Sequence, residues 1–223
     1  MKGTEFEKFA VHKLGVSSTA IHKIKSAGIS PFVIEERTLN ITQLDVFSRL
    51  LMDRIIFVGV PIDDDVANIV QAQLLFLSSV DSKADITMYL NTPGGSVSAG
   101  LGIYDTMQLV SPKVATICTG MAASMGAVLL CAGEKGMRSA LPHSKVMIHQ
   151  PIGGAQGQVS DILIEAKEIE KCRTELYTII SENTNQSVEK IFSDADRNYW
   201  MSSQEALEYG MIDKILQGSK TRK

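Results

Sequence analysis

Apolar positions along the chain alternate between two periods, and the alternation repeats at short intervals. Arg54-Ile55-Ile56-Phe57-Val58-Gly59 reads as a short strand. After it Val66, Ile69, Val70, Leu74 and Leu77 recur at helical spacing, with Asp63 placed to cap the helix start. Next come the strand Asp85-Ile86-Thr87-Met88-Tyr89-Leu90, the turn Asn91-Thr92-Pro93-Gly94-Gly95, and a helix opened by Ser96 that ends near Val110. A third unit is the run Val114-Ala115-Thr116-Ile117-Cys118, leading to Ser124 and a helix behind it. A fourth strand, Lys145-Val146-Met147-Ile148-His149, runs into the glycine-rich segment Pro151 to Gly157. Successive units of this kind predict an α/β fold: a mostly parallel sheet with right-handed crossovers and helices over its faces. In such sheets functional groups gather at the carboxyl ends of strands, and Gly95, Ser124 and His149 all fall at predicted strand ends.

Two further helices follow. From about Ser160 to Ser181, Ile162, Ile169 and Leu176 are spaced by seven, with Ala166, Cys172 and Ile179 on the same side and charges over much of the rest. Such a helix is about 33 Å long, more than the core built so far easily covers, which predicts a projecting helix that packs on a partner, with a core helix as the alternative. The last helix has Ser202 and Glu205 as a capping box and Gly210 as its stop.

Composition narrows the class. The 223 residues are 44% hydrophobic and 21% charged with a net charge of −3, ordinary globular values that fit one large domain. Lysines and arginines are spread out, so no footprint for nucleic acid or an anionic membrane is expected. The longest apolar stretch, Ala122 to Ala132, is about half of the ~20 residues a bilayer span needs. Cys118, Cys131 and Cys172 are odd in number and lack metal-site spacing, which points to buried thiols, a cytoplasmic setting and no metal. The domain organisation expected is a leader or pro-segment over residues 1–30, one domain over 31–217 and a tail over 218–223.

The candidate chemistry centres on Ser124, in Gly120-Met121-Ala122-Ala123-Ser124-Met125-Gly126-Ala127. Small neighbours suit a nucleophile on a sharp strand-to-helix turn, and A-x-S-x-G is one methyl away from the G-x-S-x-G elbow. The alternative is a buried serine at an alanine-rich helix start. His12 and His22 lie in the leader and His143 in a turn, whereas His149 ends a strand and is the general-base candidate. Backbone N–H groups in a Gly-Gly turn and just after the nucleophile are the usual oxyanion donors, which nominates Gly95 and Met125.

Together with Asn91 to Ser96, Val146 to Pro151 and Glu205 to Gly210, the Ser124 segment closely resembles the ClpP family, the proteolytic subunits of bacterial Clp proteases, in register from about Pro31 to Leu216. The resemblance implies a crotonase-like fold with Ser124 as nucleophile, His149 as base and no cofactor. It implies a homo-oligomer of two stacked seven-membered rings enclosing a chamber. Unfolded polypeptides are fed in by an AAA+ unfoldase of ClpX, ClpA or ClpC type, which alone uses ATP. The long helix then corresponds to the handle between rings and Gly153 to Gly157 to the edge strand that receives peptide. Tyr89 and Leu109 correspond to unfoldase-docking positions, and Arg197 to an inter-ring contact.

One position departs from the pattern. The family's third triad member is an aspartate, and the register puts Asn198 there. An amide orients an imidazole but supplies no counter-charge; in one serine protease an Asp-to-Asn exchange lowers turnover by roughly 10⁴. Asp194 and Asp196 read as surface charges, the alternative being that one of them reaches the histidine in some state. The expectation is a serine endopeptidase of reduced activity. Its alternatives are a weakly active or non-catalytic ring subunit in a mixed assembly, and an acyl-CoA hydratase or isomerase of the same fold.

Overall fold

The computed structural model describes residues 32–37 and 40–218. The leader expected over 1–30 lies outside them. The chain forms two compact units, Met1–Ile56 and Phe57–Lys223.

In the first unit, β1 (Phe32–Arg37) and β2 (Asn40–Asp45) form an antiparallel pair in which Phe32 faces Asp45 and Arg37 faces Asn40. Asp45 then caps α1 (Val46–Met52), accepting from the Ser48 N–H at 2.9 Å. None of these elements stands out in the hydrophobic pattern.

The second unit is built on a sheet whose first strand in chain order is β3 (Ile55–Val58). Asp63 caps α2 (Asp64–Val80) by accepting from Val66, and Ala67, Val70, Leu74 and Leu77 form its buried face, close to the spacing read from the sequence. β4 (Ile86–Thr92) leads to α3 (Val97–Leu109), which Ser96 caps. The predicted third strand extends to a ten-residue β5 (Val114–Ala123). α4 (Met125–Cys131) follows it directly, with all seven residues buried. Then come β6 (Arg138–Ala140), β7 (Lys145–Ile148), α5 (Val159–Thr184), α6 (Val188–Asp194), β8 (Tyr199–Ser202), α7 (Ser203–Tyr209) and β9 (Lys214–Ile215). Strand order is β3-β4-β5-β6-β9, and the pairs from β4 onward are parallel, as expected for the fold class.

The length of β5 sets up everything downstream. Its first half pairs with β6 through Thr116 to Cys118, and its last three residues pair with β7, Ala123 opposite Met147. β8 then adds antiparallel to β7, Ile148 opposite Tyr199. The sheet thus forks, and the fork delivers the ends of β5 and β7 and the start of β8 to one place.

β6 shows why some strands escape a pattern-based reading. Its three residues, Arg138-Ser139-Ala140, carry no apolar run, yet all are buried. The burial of a guanidinium is matched by Asp213, which accepts from Arg138 Nε at 2.9 Å and pairs with Nη2, while Nη1 donates to Cys131 and Asn183 carbonyls at 3.2 and 2.7 Å. Burial alone would raise the Asp213 carboxyl, but these bonds and the backbone N–H groups of Arg138 and Gly136 hold it below the usual carboxylate range.

The long helix runs for 26 residues, and its two halves differ. Leu176, Tyr177, Ile179, Ile180 and Thr184 are buried, whereas Val159, Ile162, Leu163 and Ile164 are exposed. A projecting first half agrees with the expectation. Residues 151–157 contain no strand, contrary to the edge strand the resemblance suggested. A strand exists only through its ladder; among the described residues no segment pairs with these, and Pro151 has no N–H to offer. Cys118 and Cys131 are buried as expected, and burial pushes the Cys131 thiol up to about 12. Cys172 is only half-buried; all three are free thiols.

Candidate active site

Ser124 occupies the bend between β5 and α4 with φ 54° and ψ −123°, a positive φ that non-glycine residues rarely hold. It is pinned there because its N–H donates to the Met147 carbonyl at 2.8 Å, extending the β5–β7 ladder by one residue, while its own carbonyl accepts from Ala127. A serine at a helix start ordinarily caps the first turn with its side chain. Here the positive φ turns the hydroxyl away, no capping bond forms, and Oγ lies 2.8 Å from Nε2 of His149.

His149 directly follows β7, and Asn198 directly precedes β8. Ile148 faces Tyr199 in the antiparallel register, so the next pair outward is His149 with Asn198. Asn198 Oδ1 sits 3.1 Å from His149 Nδ1. With a proton on Nδ1, the histidine donates to this amide oxygen and turns the Nε2 lone pair toward the serine hydroxyl. Gln150 secures the same loop twice: its N–H donates to the Ala195 carbonyl at 2.7 Å and its Nε2 to the Asp196 carbonyl at 2.8 Å.

Asp194 and Asp196 do not reach the histidine. The Asp194 carboxylate accepts from the Tyr209 hydroxyl at 2.9 Å and pairs with Lys190 at 2.6 Å, because it ends α6 on the side where α7 packs. Asp196 points to solvent, 3.8 Å from Arg197 Nε.

The Gly94-Gly95 turn approaches the Ser124 bend from the β4 side. The Ile62 N–H donates to the Gly94 carbonyl at 2.9 Å, and the Ser96 N–H to the Ile62 carbonyl at 2.8 Å. In this parallel bridge Gly95 points its own N–H away from Ile62. Both glycines have positive φ, and a Cβ on Gly94 would lie 2.6 Å from the Ala123 carbonyl oxygen and 2.9 Å from the Met125 nitrogen. The Met125 N–H is the first of α4, so no turn of that helix can use it. Among the described residues neither the Gly95 nor the Met125 N–H has a partner.

The remaining nominated residues lie elsewhere. Tyr89 on β4 stacks against Phe57 with ring centroids 6.4 Å apart. Leu109 ends α3 and is 76% exposed, and the Arg197 side chain is 91% exposed. Sequence reasoning passed over Gln150 and Tyr177, both close to the site. Gln150 carried a signal in its place beside His149, whereas Tyr177 is 28 residues further on and reaches the site only through the fold. Among the described residues no group of three or more His, Cys, Asp or Glu side chains could hold a metal, and no helix is long and apolar enough to cross a membrane.

The comparisons with known proteins supply the family. The family model described as Clp protease matches residues 38–219. Proteins named "ATP-dependent Clp protease proteolytic subunit" are similar to it over nearly their whole length. One from Bacteroides fragilis is 61% identical over 215 residues, 95% of this chain and 98% of that one. The Porphyromonas gingivalis protein is 61% identical over 219 residues, 97% of this chain and 99% of its own. The Bacteroides thetaiotaomicron protein is 60% identical over 215 residues, again 95% and 98%. With a serine, a histidine and an asparagine in hydrogen-bonded line at the fork of a mostly parallel sheet, this chain belongs to the Clp protease family.

Proposed function

We propose that the chain is the proteolytic subunit of an ATP-dependent Clp protease, a serine endopeptidase in which Ser124 is the nucleophile and His149 the general base. The observation that carries this reading is the line Ser124 Oγ, His149 Nε2, His149 Nδ1, Asn198 Oδ1, with spacings of 2.8 and 3.1 Å. Oγ attacks the peptide carbonyl as its proton passes to Nε2. The Gly95 and Met125 N–H groups receive the oxyanion, and the imidazolium returns the proton to the departing amine. Water, activated by the same histidine, then hydrolyses the acyl-enzyme. Asn198 orients the ring in every step but leaves the imidazolium without a counter-charge.

No step requires a metal or cofactor, and ATP is consumed by the partner unfoldase. The proposal includes an assembly of two stacked seven-membered rings in the cytoplasm that receives unfolded polypeptides from an AAA+ unfoldase. The exposed aliphatic side chains of the first half of α5 and the exposed Arg197 are consistent with ring contacts, and the exposed Leu109 at the end of α3 with unfoldase docking. The acyl-CoA reading is set aside by the family match. Asn198 favours one second reading, a subunit of low intrinsic activity that works in a mixed ring.

Short-peptide hydrolysis by the purified assembly, with Ser124→Ala as control and a mass measurement of the oligomer, tests the proposal. Hydrolysis lost in Ser124→Ala, and fluorophosphonate labelling of Ser124, are expected. An assembled protein that neither cleaves nor labels would overturn the catalytic reading.

A further inference from the structure

The run Glu205-Ala206-Leu207-Glu208-Tyr209-Gly210 supplies no group to the line of Ser124, His149 and Asn198, yet its tyrosine stands behind the third member of that line. Asn198 sits on a short loop, residues 195–198, between Asp194, which ends α6, and Tyr199, which begins β8. Both residues that bracket the loop rest on Tyr209. The Tyr209 hydroxyl donates to Asp194 Oδ2 at 2.9 Å, and its ring lies against that of Tyr199 with centroids 5.9 Å apart and planes tilted by 46°. Lys190 ties the first contact to the ring, since its Nζ is 2.6 Å from Asp194 Oδ2 and 5.0 Å from the Tyr209 ring centroid. With both ends fixed, a loop this short has few backbone conformations left to it.

Tyr209 is 6% exposed and is itself anchored. Its carbonyl accepts from Gln186 Nε2 at 2.9 Å, and Gly210 behind it ends α7 at φ 90°, where a Cβ would lie 2.4 Å from the Thr184 carbonyl oxygen. The Tyr-Gly pair is thereby wedged against the end of α5. Burial, and after it the Asp194 carboxylate, push the phenol above its ordinary range, so the hydroxyl keeps its proton and stays a donor. Among the described residues Tyr209 has no hydrogen bond to Ser124, His149 or Asn198, so its influence on the reaction passes through the loop.

We propose that Tyr209 is a positioning residue: by holding the start of the loop through its hydroxyl and the end through its ring, it keeps the Asn198 amide oxygen on His149 Nδ1. The inference rests on the reading of Ser124 as nucleophile and His149 as base. Tyr209→Phe separates the two contacts, because it keeps the ring on Tyr199 and removes only the bond to Asp194, which retains Lys190 as counter-charge. Loss of one ordinary hydrogen bond allows a change of about three- to tenfold, and removal of Asn198 itself sets the upper limit.

The test is short-peptide hydrolysis by the assembled full chain, with Tyr209→Phe and Tyr209→Leu made both on the unmodified chain and on Asn198→Ala. Tyr209→Phe is expected to lower kcat by about three- to tenfold with KM unchanged. Tyr209→Leu, which loses both contacts, is expected to lower kcat further, toward the value of Asn198→Ala. With Asn198→Ala already present, each is expected to change kcat by less than about twofold, because no orienting amide is left to misplace. An unchanged kcat in folded, assembled Tyr209→Phe overturns the proposal, as does a loss confined to KM. The same fold-loss with and without Asn198 also overturns it, and leaves Tyr209 a packing residue only. If Tyr209→Leu does not assemble, Tyr209→Phe decides the matter alone. Fluorophosphonate labelling of the unmodified chain keeps the two readings apart: a chain that neither cleaves nor labels brings down both, whereas labelling and turnover that ignore Tyr209→Phe bring down only the positioning role.

Discussion

The two sides of the site are held by different means. The Ser124 bend lies inside the sheet: its N–H is bonded to Met147, buried α4 stands behind it, and Gly94 lies so close that no Cβ fits. The Asn198 side is an exposed loop between α6 and the edge strand β8, tied down by Gln150 and by the Asp194 bonds to Tyr209 and Lys190. Shape dominates the first side and charge the second. Geometry at the serine tolerates almost no change, whereas at Asn198 a single functional group can alter the chemistry without moving the backbone.

The most severe break is expected on the rigid side. Gly94→Ala puts a methyl 2.6 Å from the Ala123 carbonyl oxygen at φ 89°, so the Ser124 bend and the Met125 N–H must shift together. A displacement of the order of 1 Å at reacting groups costs about 10²-fold, and losing an oxyanion donor about 10²–10³-fold. Peptide hydrolysis is therefore expected to fall by at least about 10²-fold while the oligomer mass is retained. Near-normal turnover would show that the turn is less constrained than its contacts imply.

Next in size is the brace behind that bend. Arg138 is 6% and Asp213 20% exposed, and Arg138 Nη1 holds the carbonyl of Cys131, the last residue of α4. Removing one partner of a buried pair costs about 3–5 kcal/mol, and the partial exposure of Asp213 puts Asp213→Asn near about 3 kcal/mol. The pH dependence has a definite sign. Asp213 is held below its ordinary range, so its contribution is complete above the unfolded value near ~3.9 and is lost as pH falls through the lower folded value. Urea unfolding at several pH values is expected to show the gap between the unmodified chain and Asp213→Asn narrowing only below about pH 4. A gap that stays constant down to pH 2 would remove the carboxylate from the account.

On the Asn198 side the change is a gain. Asn198→Asp keeps the reach to Nδ1 while supplying the counter-charge that the imidazolium lacks, and peptide turnover is expected to rise by about tenfold or more. Equal rates would mean that Asn198 does not limit the reaction and would weaken the mixed-ring reading with it.

The contrast also explains what was legible in the sequence. The Ser124 bend announces itself locally, since glycine and alanine must cluster wherever backbones meet that closely. His149 was readable because a strand with a clear apolar run ends there. Asn198 had no local signal: β8 begins with Tyr199-Trp200, both exposed, and only the family register marked it. Tyr177 and Arg138 were invisible for a different reason. Each acts through a partner 18 or more residues away, Ala195 and Asp213 respectively, and such pairings exist only after the sheet has forked and α5 has packed beneath it. Residues 151–157 show the converse: the family resemblance suggested an edge strand there, and among the described residues nothing pairs with the segment.

The smallest expected effect is the most discriminating about how the exposed loop is held. Gln150 makes two bonds to it, and only the Nε2 bond to the Asp196 carbonyl at 2.8 Å depends on its side chain. Gln150→Ala removes that bond and keeps the 2.7 Å backbone bond to Ala195. An exposed neutral hydrogen bond contributes about 0.5–1.5 kcal/mol, which here loosens the loop rather than unfolding the chain. Because Asn198 orients the imidazole and binds no part of the peptide, the loss is expected in kcat, by about threefold, with KM unchanged. The effect should nearly vanish in an Asn198→Ala background, where there is no orienting group left to misplace, and a double-mutant cycle measures that coupling directly. Additive losses would mean that Gln150 acts on the peptide through the adjoining Pro151 segment, and that the Asn198 loop is held by the Asp194 bonds alone.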